Sequence, residues 1–238
     1  MSGVVATRLT SDFDIGNNYC VRGLMKGKER KISRPTAERL SEYLLILEQH
    51  LKNSRDTISS KELADVYGNT PSQVRQDLFQ IENTGRIRHG YDVRTLTAAI
   101  RSKLGIEKTT NLIIIGCGKL GSAIAEHVPF SSYGMSLKGI FDNDLSIIGT
   151  EVSGLVVEDV KTLGNAIEKR GISIAALCVP PPVAQEVTDK LLAGDGIKGI
   201  LNYTQLRLKV PVGIVVKDSQ IICSFMQLAF FSNQENQK

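Results

Sequence analysis

A glycine-rich turn follows an apolar run near the middle of this 238-residue chain, in the stretch NLIIIGCGKLGSAIAEH at 111–127. Gly116 suits a tight turn, Gly118 would let the backbone approach a pyrophosphate, and Gly121 would let the following helix pack on a sheet. The N-terminus of that helix would point free N–H groups and its positive dipole end at the phosphates. The spacing predicts a dinucleotide site; the alternatives are a lapsed site or another adenine nucleotide, such as coenzyme A.

Asp142 supports this prediction and narrows it. It ends the next apolar run, 21 residues beyond Gly121, where a carboxylate accepts hydrogen bonds from ribose hydroxyls and repels a 2′-phosphate. NAD(H) is therefore expected rather than NADP(H).

Two further segments, CVPPP at 178–182 and NYT at 202–204, follow predicted strands, where such sheets bind ligands. Either segment lines a nicotinamide pocket, or the prolines only start the next helix. The residues expected to contact the cofactor are Gly116, Cys117, Gly118, Lys119, Leu120, Gly121, Asp142, Val179, Pro180, Asn202 and Tyr203.

The sequence offers no convincing acid–base pair for catalysis. His50 and His89 fall in the front half, and His127 ends the glycine-turn helix without a partner of suitable type. The four cysteines lack a C-x-x-C pairing and metal-ligand spacing, so free thiols are expected, with neither zinc nor a disulfide. Thiol chemistry at Cys117 or Cys178 is a less favoured alternative, because small apolar cysteines are common at buried strand ends.

The second half of the chain alternates apolar runs with helical segments near 119–128, 159–170 and 182–194. Buried strands that alternate with helices indicate an α/β fold, a Rossmann-like doubly wound parallel sheet. The stretch IICSFMQLAFF at 221–231 is more apolar than a free tail should be.

The front half has a different pattern. Apolar residues of PTAERLSEYLLILEQHL at 35–51 recur at helical spacing, and SSKELADVYG at 59–68 and TPSQVRQDLFQIENTG at 70–85 carry capping signals for two short helices. These segments predict a helix-turn-helix. The basic stretch GRIRHGYDV at 85–93 then suits a hairpin, or wing, and a helix at 94–105 closes the domain.

Charge favours the front half as a DNA-binding domain. Residues 30–104 hold thirteen Lys or Arg against nine Asp or Glu, a balance of +4, whereas residues 105–238 hold twelve against thirteen, a balance of −1. Double-stranded DNA is therefore the expected partner, unless these are an ordinary solvated helix face and a basic turn. The residues expected to contact DNA are Ser72, Arg75, Gln76, Arg86, Arg88 and Tyr91.

Several ordered segments across both halves resemble the Rex family of redox-sensing transcriptional repressors. They are ISRPTAERLSEYL, VRQDL, GYDV, GCGKLGSA, FDND with IGTEV, VP with AQ, and above all GIKGILNYT, within residues 32–231. The resemblance implies a homodimer in which each C-terminal helix packs across to the partner. It also implies a palindromic operator that is bound when NADH is scarce and released when NADH closes the dimer.

With this resemblance the expected organisation is an N-terminal extension at 1–30, a winged-helix DNA-binding domain at 31–105, a Rossmann NAD(H)-binding domain at 106–217, and a C-terminal dimerisation helix and tail at 218–238. The absence of an apolar run of membrane-spanning length and of a signal-peptide pattern predicts a cytoplasmic protein with no membrane partner.

The chain departs from the family pattern at four positions. The family commonly has a tyrosine where His127 stands, an Asp-Phe pair where Gln220 and Ile221 stand, and an arginine where Leu45 stands. Loss of both charged partners together avoids an unpaired buried charge. Our hypothesis is that nucleotide still binds but that NADH and NAD+ are discriminated less sharply than in a typical member.

Ile87 and Arg88 also replace a basic residue followed by glycine in the wing, which would shift operator preference. Two alternatives to the leading function stay open. One is a DNA-binding dimer with an altered or lost NADH response, and the other is an NAD-dependent oxidoreductase with an unusual N-terminal domain.

Overall fold

A computed structural model describes residues 32–66, 68–81, 84–87 and 90–235 of the chain. The predicted N-terminal extension lies outside these ranges. The chain divides into two compact units between Leu104 and Gly105.

The described part of the first unit combines four helices with a small antiparallel sheet. The sheet has the order β1-β3-β2, and β2 and β3 form the hairpin that was predicted as a wing. The elements are α1 (Arg34–Lys52), β1 (Thr57–Ile58), α2 (Ser60–Val66), α3 (Pro71–Phe79), β2 (Arg86–Ile87), β3 (Gly90–Asp92) and α4 (Val93–Lys103). The predicted winged helix is confirmed.

Local chemistry explains where these helices begin. Ser33 accepts a hydrogen bond from the Thr36 N–H at the start of α1, and Thr70 accepts one from the Gln73 N–H at the start of α3. Each cap satisfies one of the N–H groups that a helix start leaves without a partner. The apolar stripe of α1 then packs against α4, which forms the core of this unit.

The second unit is a seven-stranded sheet with helices packed on it. Its order is β10-β9-β8-β4-β5-β7-β6. The elements are β4 (Thr110–Ile115), α5 (Lys119–His127), β5 (Met135–Asp142), β6 (Glu151–Val152), β7 (Leu155–Asp159), α6 (Leu163–Arg170), β8 (Ile174–Leu177), α7 (Pro181–Leu191), β9 (Gly199–Asn202), β10 (Val215–Asp218) and α8 (Ile221–Glu235). The predicted α/β class and Rossmann-like sheet are confirmed.

The strand order fixes where a ligand would bind. β4 pairs with β5 on one side and with β8 on the other, and the chain crosses to the other half of the sheet at this point. In such sheets the crevice at the carboxyl ends of these strands is the ligand site. Both the glycine turn and the segment after β8 begin at this crevice.

One part of the sheet differs from the prediction. The hairpin of β6 and β7 makes the sheet mixed, because β6 runs antiparallel to its neighbour. Ser153 and Gly154 both adopt positive φ in its two-residue turn, the geometry that twists a tight hairpin correctly. Two residues of strand are too short to produce a readable alternation, so the sequence pattern did not reveal β6.

Among the residues that the structure describes, none covers the apolar side chains of helix α8. Its large apolar side chains are each more than half exposed; they are Ile221, Ile222, Phe225, Met226, Leu228, Phe230 and Phe231. Within the described ranges, no helix has both the length and the hydropathy that a membrane crossing requires.

Candidate functional site

The glycine turn connects β4 to α5 in a conformation that only glycine adopts easily. Gly116 has φ 95°, and a Cβ added there would lie 2.6 Å from the carbonyl oxygen of Cys178 at the end of β8. Its N–H donates to the carbonyl of Phe141 at 2.8 Å. Gly116 is therefore required both for the turn and for the close approach of two strand ends.

The other two glycines have separate roles. A Cβ on Gly121 would overlap the carbonyl oxygen of Gly116, so Gly121 allows α5 to sit against the turn. A Cβ on Gly118 would meet nothing within 4 Å of the protein, and no side-chain hydrogen bond caps α5 there. Lys119 and Leu120 are exposed in the first turn of the helix. This open helix start can receive an anionic group.

Asp142 lies at the end of β5 and is already oriented by the backbone. One carboxylate oxygen accepts from the Cys117 N–H at 2.6 Å, and the other accepts from the N–H groups of Asn143 and Asp144 at 2.7 and 2.9 Å. The carboxylate is thus fixed beside the glycine turn. The oxygen that accepts from Cys117 has one lone pair left to accept a hydroxyl proton.

Asp144 adds a second negative charge to the same turn. Its carboxylate accepts from the backbone N–H and the hydroxyl of Ser146 at 2.9 and 2.7 Å. These hydrogen bonds lower the pKa of Asp144, so it is ionised at neutral pH. The sequence between 143 and 150 contains no Lys or Arg that would offset it. Two carboxylates, Asp142 and Asp144, therefore lie in this segment, and sequence reasoning identified only Asp142.

The segment after β8 meets the glycine turn directly. The Cys178 N–H donates to the Ile115 carbonyl at 2.7 Å, and the Val179 side chain would come within 3.1 Å of a Cβ on Gly116. Pro180 is exposed and precedes the first residue of α7. Val179 and Pro180 therefore border the crevice, and the prolines also start the helix.

Asn202 has a structural role that the sequence did not reveal. Its side-chain amide donates to the Leu206 carbonyl at 2.9 Å and to Asp218 at 2.7 Å, while its oxygen accepts from the N–H and the hydroxyl of Thr204 at 3.0 and 2.7 Å. The residue is fully buried. All of its side-chain capacity is used within the chain, so any contact of Asn202 with a cofactor is left to its backbone.

Tyr203 and the two neighbouring thiols form the wall of the crevice. Tyr203 and Cys178 are half-buried against the cluster that contains Cys117. Burial raises the pKa of Cys178 to about 12 and, together with the charge of Asp142, raises the pKa of Cys117. Both thiols are therefore protonated at neutral pH, which opposes the alternative of thiol chemistry.

The face of α3 carries the predicted DNA contacts. Ser72, Arg75 and Gln76 are all exposed on it, because positions i, i+3 and i+4 share one side of a helix. The Arg75 guanidinium donates to the hydroxyls of Ser60 and Ser72 at 3.3 and 3.5 Å. Phe79, at the next position of the same face, is 73% exposed and was not predicted; its i+4 spacing from Arg75 was the available signal.

A buried ion pair holds α3 against α1. Arg39 donates twice to Asp77, at 2.7 Å each, and Asp77 is completely buried. The Tyr43 hydroxyl and the Gln73 amide also donate to Asp77, each at 3.1 Å. Burial and the Asp77 charge raise the pKa of Tyr43, so its hydroxyl stays a donor. Sequence reasoning missed this network, which fixes the orientation of the candidate reading helix.

The wing is described in part, and one predicted contact is corrected. Arg86 pairs with Tyr91 in the β2–β3 ladder, but Arg88 lies outside the described residues and the side chain of Arg86 is not described. Tyr91 is only 6% exposed. Its ring packs in the core because it faces inward from the central strand, so it does not present a surface to DNA.

The positions that depart from the Rex pattern lie at exposed or half-buried places. His127 is the exposed last residue of α5, and Leu45 is 51% exposed on α1. Gln220 is half-buried before α8, and Ile221 is exposed at its start. Within the described part of the chain, no group of three or more His, Cys, Asp or Glu side chains is placed to hold a metal ion.

Comparison with known families matches both units. Residues 107–206 match the family described as CoA binding domain, and residues 31–78 match the family described as putative DNA-binding protein N-terminus. The chain is 38% identical over 208 residues to the redox-sensing transcriptional repressor Rex of Thermoanaerobacter pseudethanolicus, covering 87% of this chain and 92% of that protein. It is 37% identical over 211 residues to the Rex repressor of Clostridium perfringens, covering 89% and 99%.

Solved structures agree with these relatives. The crystal structure of RSP, a Rex-family repressor, superposes with a TM-score of 0.78 at 37% identity, covering 86% of this chain and 95% of that one. The complex of RSP with beta-NADH gives the same TM-score and identity, covering 86% and 96%. Its complex with beta-NAD+ and operator DNA gives a TM-score of 0.77 at 38% identity, covering 86% and 94%.

Proposed function

This chain belongs to the Rex family of redox-sensing transcriptional repressors, and from that premise we propose that it is a DNA-binding repressor that senses the ratio of NADH to NAD+. The observation that carries the proposal is the open start of α5 above Gly118, beside the fixed carboxylate of Asp142, at the crossover of a doubly wound sheet. Because the relatives are named repressors, we assign the chain no catalytic step.

The ligand proposed for the crevice is NAD(H). The glycine turn and the first turn of α5 would hold the pyrophosphate, and Asp142 would accept from a hydroxyl of a ribose. NADPH carries a phosphate on that ribose at the 2′ position, and coenzyme A carries one at the 3′ position. Asp142 and Asp144 would repel both phosphates, so we infer that neither ligand is preferred, although residues 107–206 match a CoA-binding family.

The DNA partner is proposed to meet the exposed face of α3. Arg75 and Gln76 would contact base edges, with Ser72 on a nearby phosphate and Arg86 and Arg88 following the backbone or the minor groove. The cap at Thr70 and the ion pair of Asp77 with Arg39 hold this helix, which favours a fixed reading surface. The partner chemistry is that of a double-stranded operator.

We further propose that α8 makes the protein a homodimer. Large exposed apolar side chains over about three turns of helix are unfavourable in water, since burying each would contribute about 1.5–3 kcal/mol. A second copy of the chain supplies a matching apolar surface, and a two-fold dimer fits a palindromic operator. A cytoplasmic location follows for a protein that binds the chromosome and reads a cellular nucleotide pool.

NADH is proposed to release the dimer from its operator. A ligand moves such a dimer only by its difference in affinity for the two forms. The second candidate is a DNA-binding dimer of the same fold whose NADH response is altered or lost. The observation that favours it is Leu45, an uncharged and exposed side chain where the family commonly has arginine.

Two measurements test the proposed function. Calorimetric titration should show that NADH and NAD+ bind more tightly than NADPH or coenzyme A. A palindromic duplex selected by the protein from a randomised pool should be retained in preference to random DNA, and this preference should fall on adding NADH. Equal binding of all four nucleotides, or no preference for the selected duplex, would reject the corresponding half of the proposal.

The contribution of α3 is tested with a matched pair. Arg75→Ala should weaken binding to the selected duplex by about 1–3 kcal/mol, because it removes a base contact. The control Lys61→Ala, on the exposed side of α2, removes one positive charge and no predicted base contact. The Lys61→Ala control should weaken binding to selected and to random duplexes about equally. If Arg75→Ala left the preference for the selected duplex unchanged, Arg75 would be excluded from base recognition.

The role of α8 is tested by the oligomeric state. Leu228→Glu should convert the dimer to a monomer in light scattering, because it places a charge in the proposed apolar contact. The control Gln227→Glu, on the same helix, adds the same charge at a position that is polar already. A dimer that survives Leu228→Glu would show that α8 does not form the interface.

A further inference from the structure

The exposed face of α3 carries an aromatic ring among its polar side chains. Helical spacing places Ser72, Arg75, Gln76 and Phe79 on one side of the helix. Phe79 is 73% exposed there. A single exposed apolar residue is common on protein surfaces, so it is the position of Phe79 on the proposed reading face that requires an explanation.

Folding does not explain Phe79. The buried residues of α3 are Val74, Asp77 and Leu78, which lie on the opposite side of the helix. Val74 and Leu78 are four residues apart and form the apolar stripe that faces the core. The Phe79 ring lies outside this stripe and adds little buried area. Replacing it with alanine should therefore hardly change the free energy of unfolding.

The charge around Phe79 favours nucleic acid as its partner. Residues 30–104 have a balance of +4. The Arg75 guanidinium lies about one helical turn from Phe79 and donates to the hydroxyls of Ser60 and Ser72. An apolar protein surface would desolvate this cation without offering it an acceptor. Duplex DNA offers acceptors to Arg75 and an apolar group to Phe79.

The major groove of DNA presents one group that matches a phenyl ring. Base edges there carry hydrogen-bond donors and acceptors, and the C5-methyl group of thymine is the apolar group among them. The spacing along α3 also limits where this thymine lies. Phe79 follows Arg75 by four residues, about 6 Å along the helix, whereas base pairs are about 3.4 Å apart. The thymine should lie within about two base pairs of the base that Arg75 contacts.

We propose that Phe79 is a specificity-determining residue whose ring contacts the C5-methyl group of a thymine in the operator. This rests on the proposed DNA-binding function of α3 and adds a base that the polar side chains do not read. Arginine favours guanine and glutamine favours adenine, so Arg75 and Gln76 leave thymine to Phe79. The partner is therefore a duplex with a thymine at a fixed position in each half-site.

Replacing single thymines with deoxyuridine tests the contact, because deoxyuridine pairs as thymidine does but lacks the C5-methyl group. Each thymine of the selected duplex is replaced in turn, and fluorescence anisotropy at fixed salt gives the dissociation constant without nucleotide. For wild type, one position in a half-site should raise this constant by about fourfold, the effect of one buried methyl group. Phe79→Ala should bind the unmodified duplex at least about fourfold more weakly and show no further loss at that position.

Two further variants serve as controls. Phe79→Leu keeps an apolar side chain that can contact a methyl group, so it should retain the response to deoxyuridine. Val66→Ala shortens another exposed apolar side chain, 59% exposed at the end of α2, and should retain the response as well. Phe79→Ala and Val66→Ala should both unfold in urea like wild type. A merely structural role of Phe79 would weaken binding to every duplex equally, without abolishing the response at one position.

The outcomes separate this contact from the function on which it rests. A wild-type protein that shows no preference for the selected duplex over random DNA defeats both proposals. If Arg75→Ala reduces that preference but the deoxyuridine response is absent in wild type, or is unchanged in Phe79→Ala, the thymine contact alone is defeated. Loss of the dimer in Phe79→Ala, seen by light scattering with the deoxyuridine response retained, would assign Phe79 to a protein contact and also overturn the proposal.

Discussion

Replacing Gly118 with alanine should abolish tight nucleotide binding while leaving the protein folded. Gly118 has φ −70°, which alanine adopts without strain, and its added Cβ would meet no protein atom within 4 Å. The new methyl group would instead occupy the space through which a pyrophosphate approaches the start of α5. The two other glycines of the turn do not allow this separation, because a Cβ at Gly116 or Gly121 meets backbone atoms.

The expected magnitudes differ for folding and for binding. Alanine is a poorer N-cap than glycine by roughly 0.5–1 kcal/mol, while its restriction of the unfolded chain returns about 0.4–1 kcal/mol, so the net change in the free energy of unfolding should be near zero. Loss of one or more charge-assisted hydrogen bonds to the phosphate costs about 1.5–3 kcal/mol each. The NADH dissociation constant should therefore rise by roughly 10- to 150-fold.

Calorimetric titration with NADH and thermal unfolding without nucleotide measure the two effects. Gly164→Ala in α6, where an added Cβ also meets nothing, is the matched control and should bind NADH like wild type. Gly121→Ala should lose both binding and stability. If Gly118→Ala bound NADH with unchanged affinity, the pyrophosphate would not lie on this turn and our assignment of the crevice would be refuted.

Three further predictions concern charge and burial. Asp144→Ala should improve binding of NADPH relative to NADH by up to about fivefold in calorimetry, because it removes one of two carboxylates while an exposed charge acts only weakly through water; an unchanged ratio would count against its role. Asp77→Asn should lower the free energy of unfolding in urea by about 2–3 kcal/mol. This is less than for a fully buried pair, because Arg39 is 22% exposed. The control Asp65→Asn, at an exposed position, should leave the free energy of unfolding unchanged. Alkylation followed by site-resolved mass spectrometry at pH 8 should modify the half-buried Cys178 much more slowly in the folded protein than in the protein unfolded in urea. Because burial raises the pKa of Cys178 to about 12, the rate of its alkylation should rise about tenfold per pH unit between pH 8 and 10. Equal alkylation rates at pH 8 in the folded and the unfolded protein would contradict the burial of Cys178.

Most of the fold could be predicted from local signals in the sequence. Threonine at 70 before Pro71 marked the start of α3, and three glycines after an apolar run marked the turn before α5. These features depend on residues that are neighbours in the chain, so a single sequence is enough to recognise them. The β6–β7 hairpin was missed because its pairing strand has only two residues.

The features that could not be predicted from the sequence depend on contacts between segments that are far apart in the chain. Arg39 and Asp77 are 38 residues apart, and nothing in either helix alone indicates that they pair. Asn202 was expected to contact the cofactor because it ends a strand at the crevice. Its side-chain amide instead donates hydrogen bonds to Asp218 and Leu206. Tyr91 was expected to contact DNA because it follows the basic tip of the hairpin. It lies on the central strand of its sheet, and its ring is buried in the core.

We propose that a nucleotide in the crevice controls DNA binding, and a single titration measures this control. Fluorescence anisotropy of the selected palindromic duplex is measured at fixed salt and fixed total nucleotide, because phosphate contacts make affinity depend steeply on ionic strength. Only the ratio of NADH to NAD+ varies. We expect the duplex dissociation constant to rise as NADH replaces NAD+, and Gly118→Ala to abolish this rise. A dissociation constant that stays constant across all ratios in the wild-type protein would contradict it.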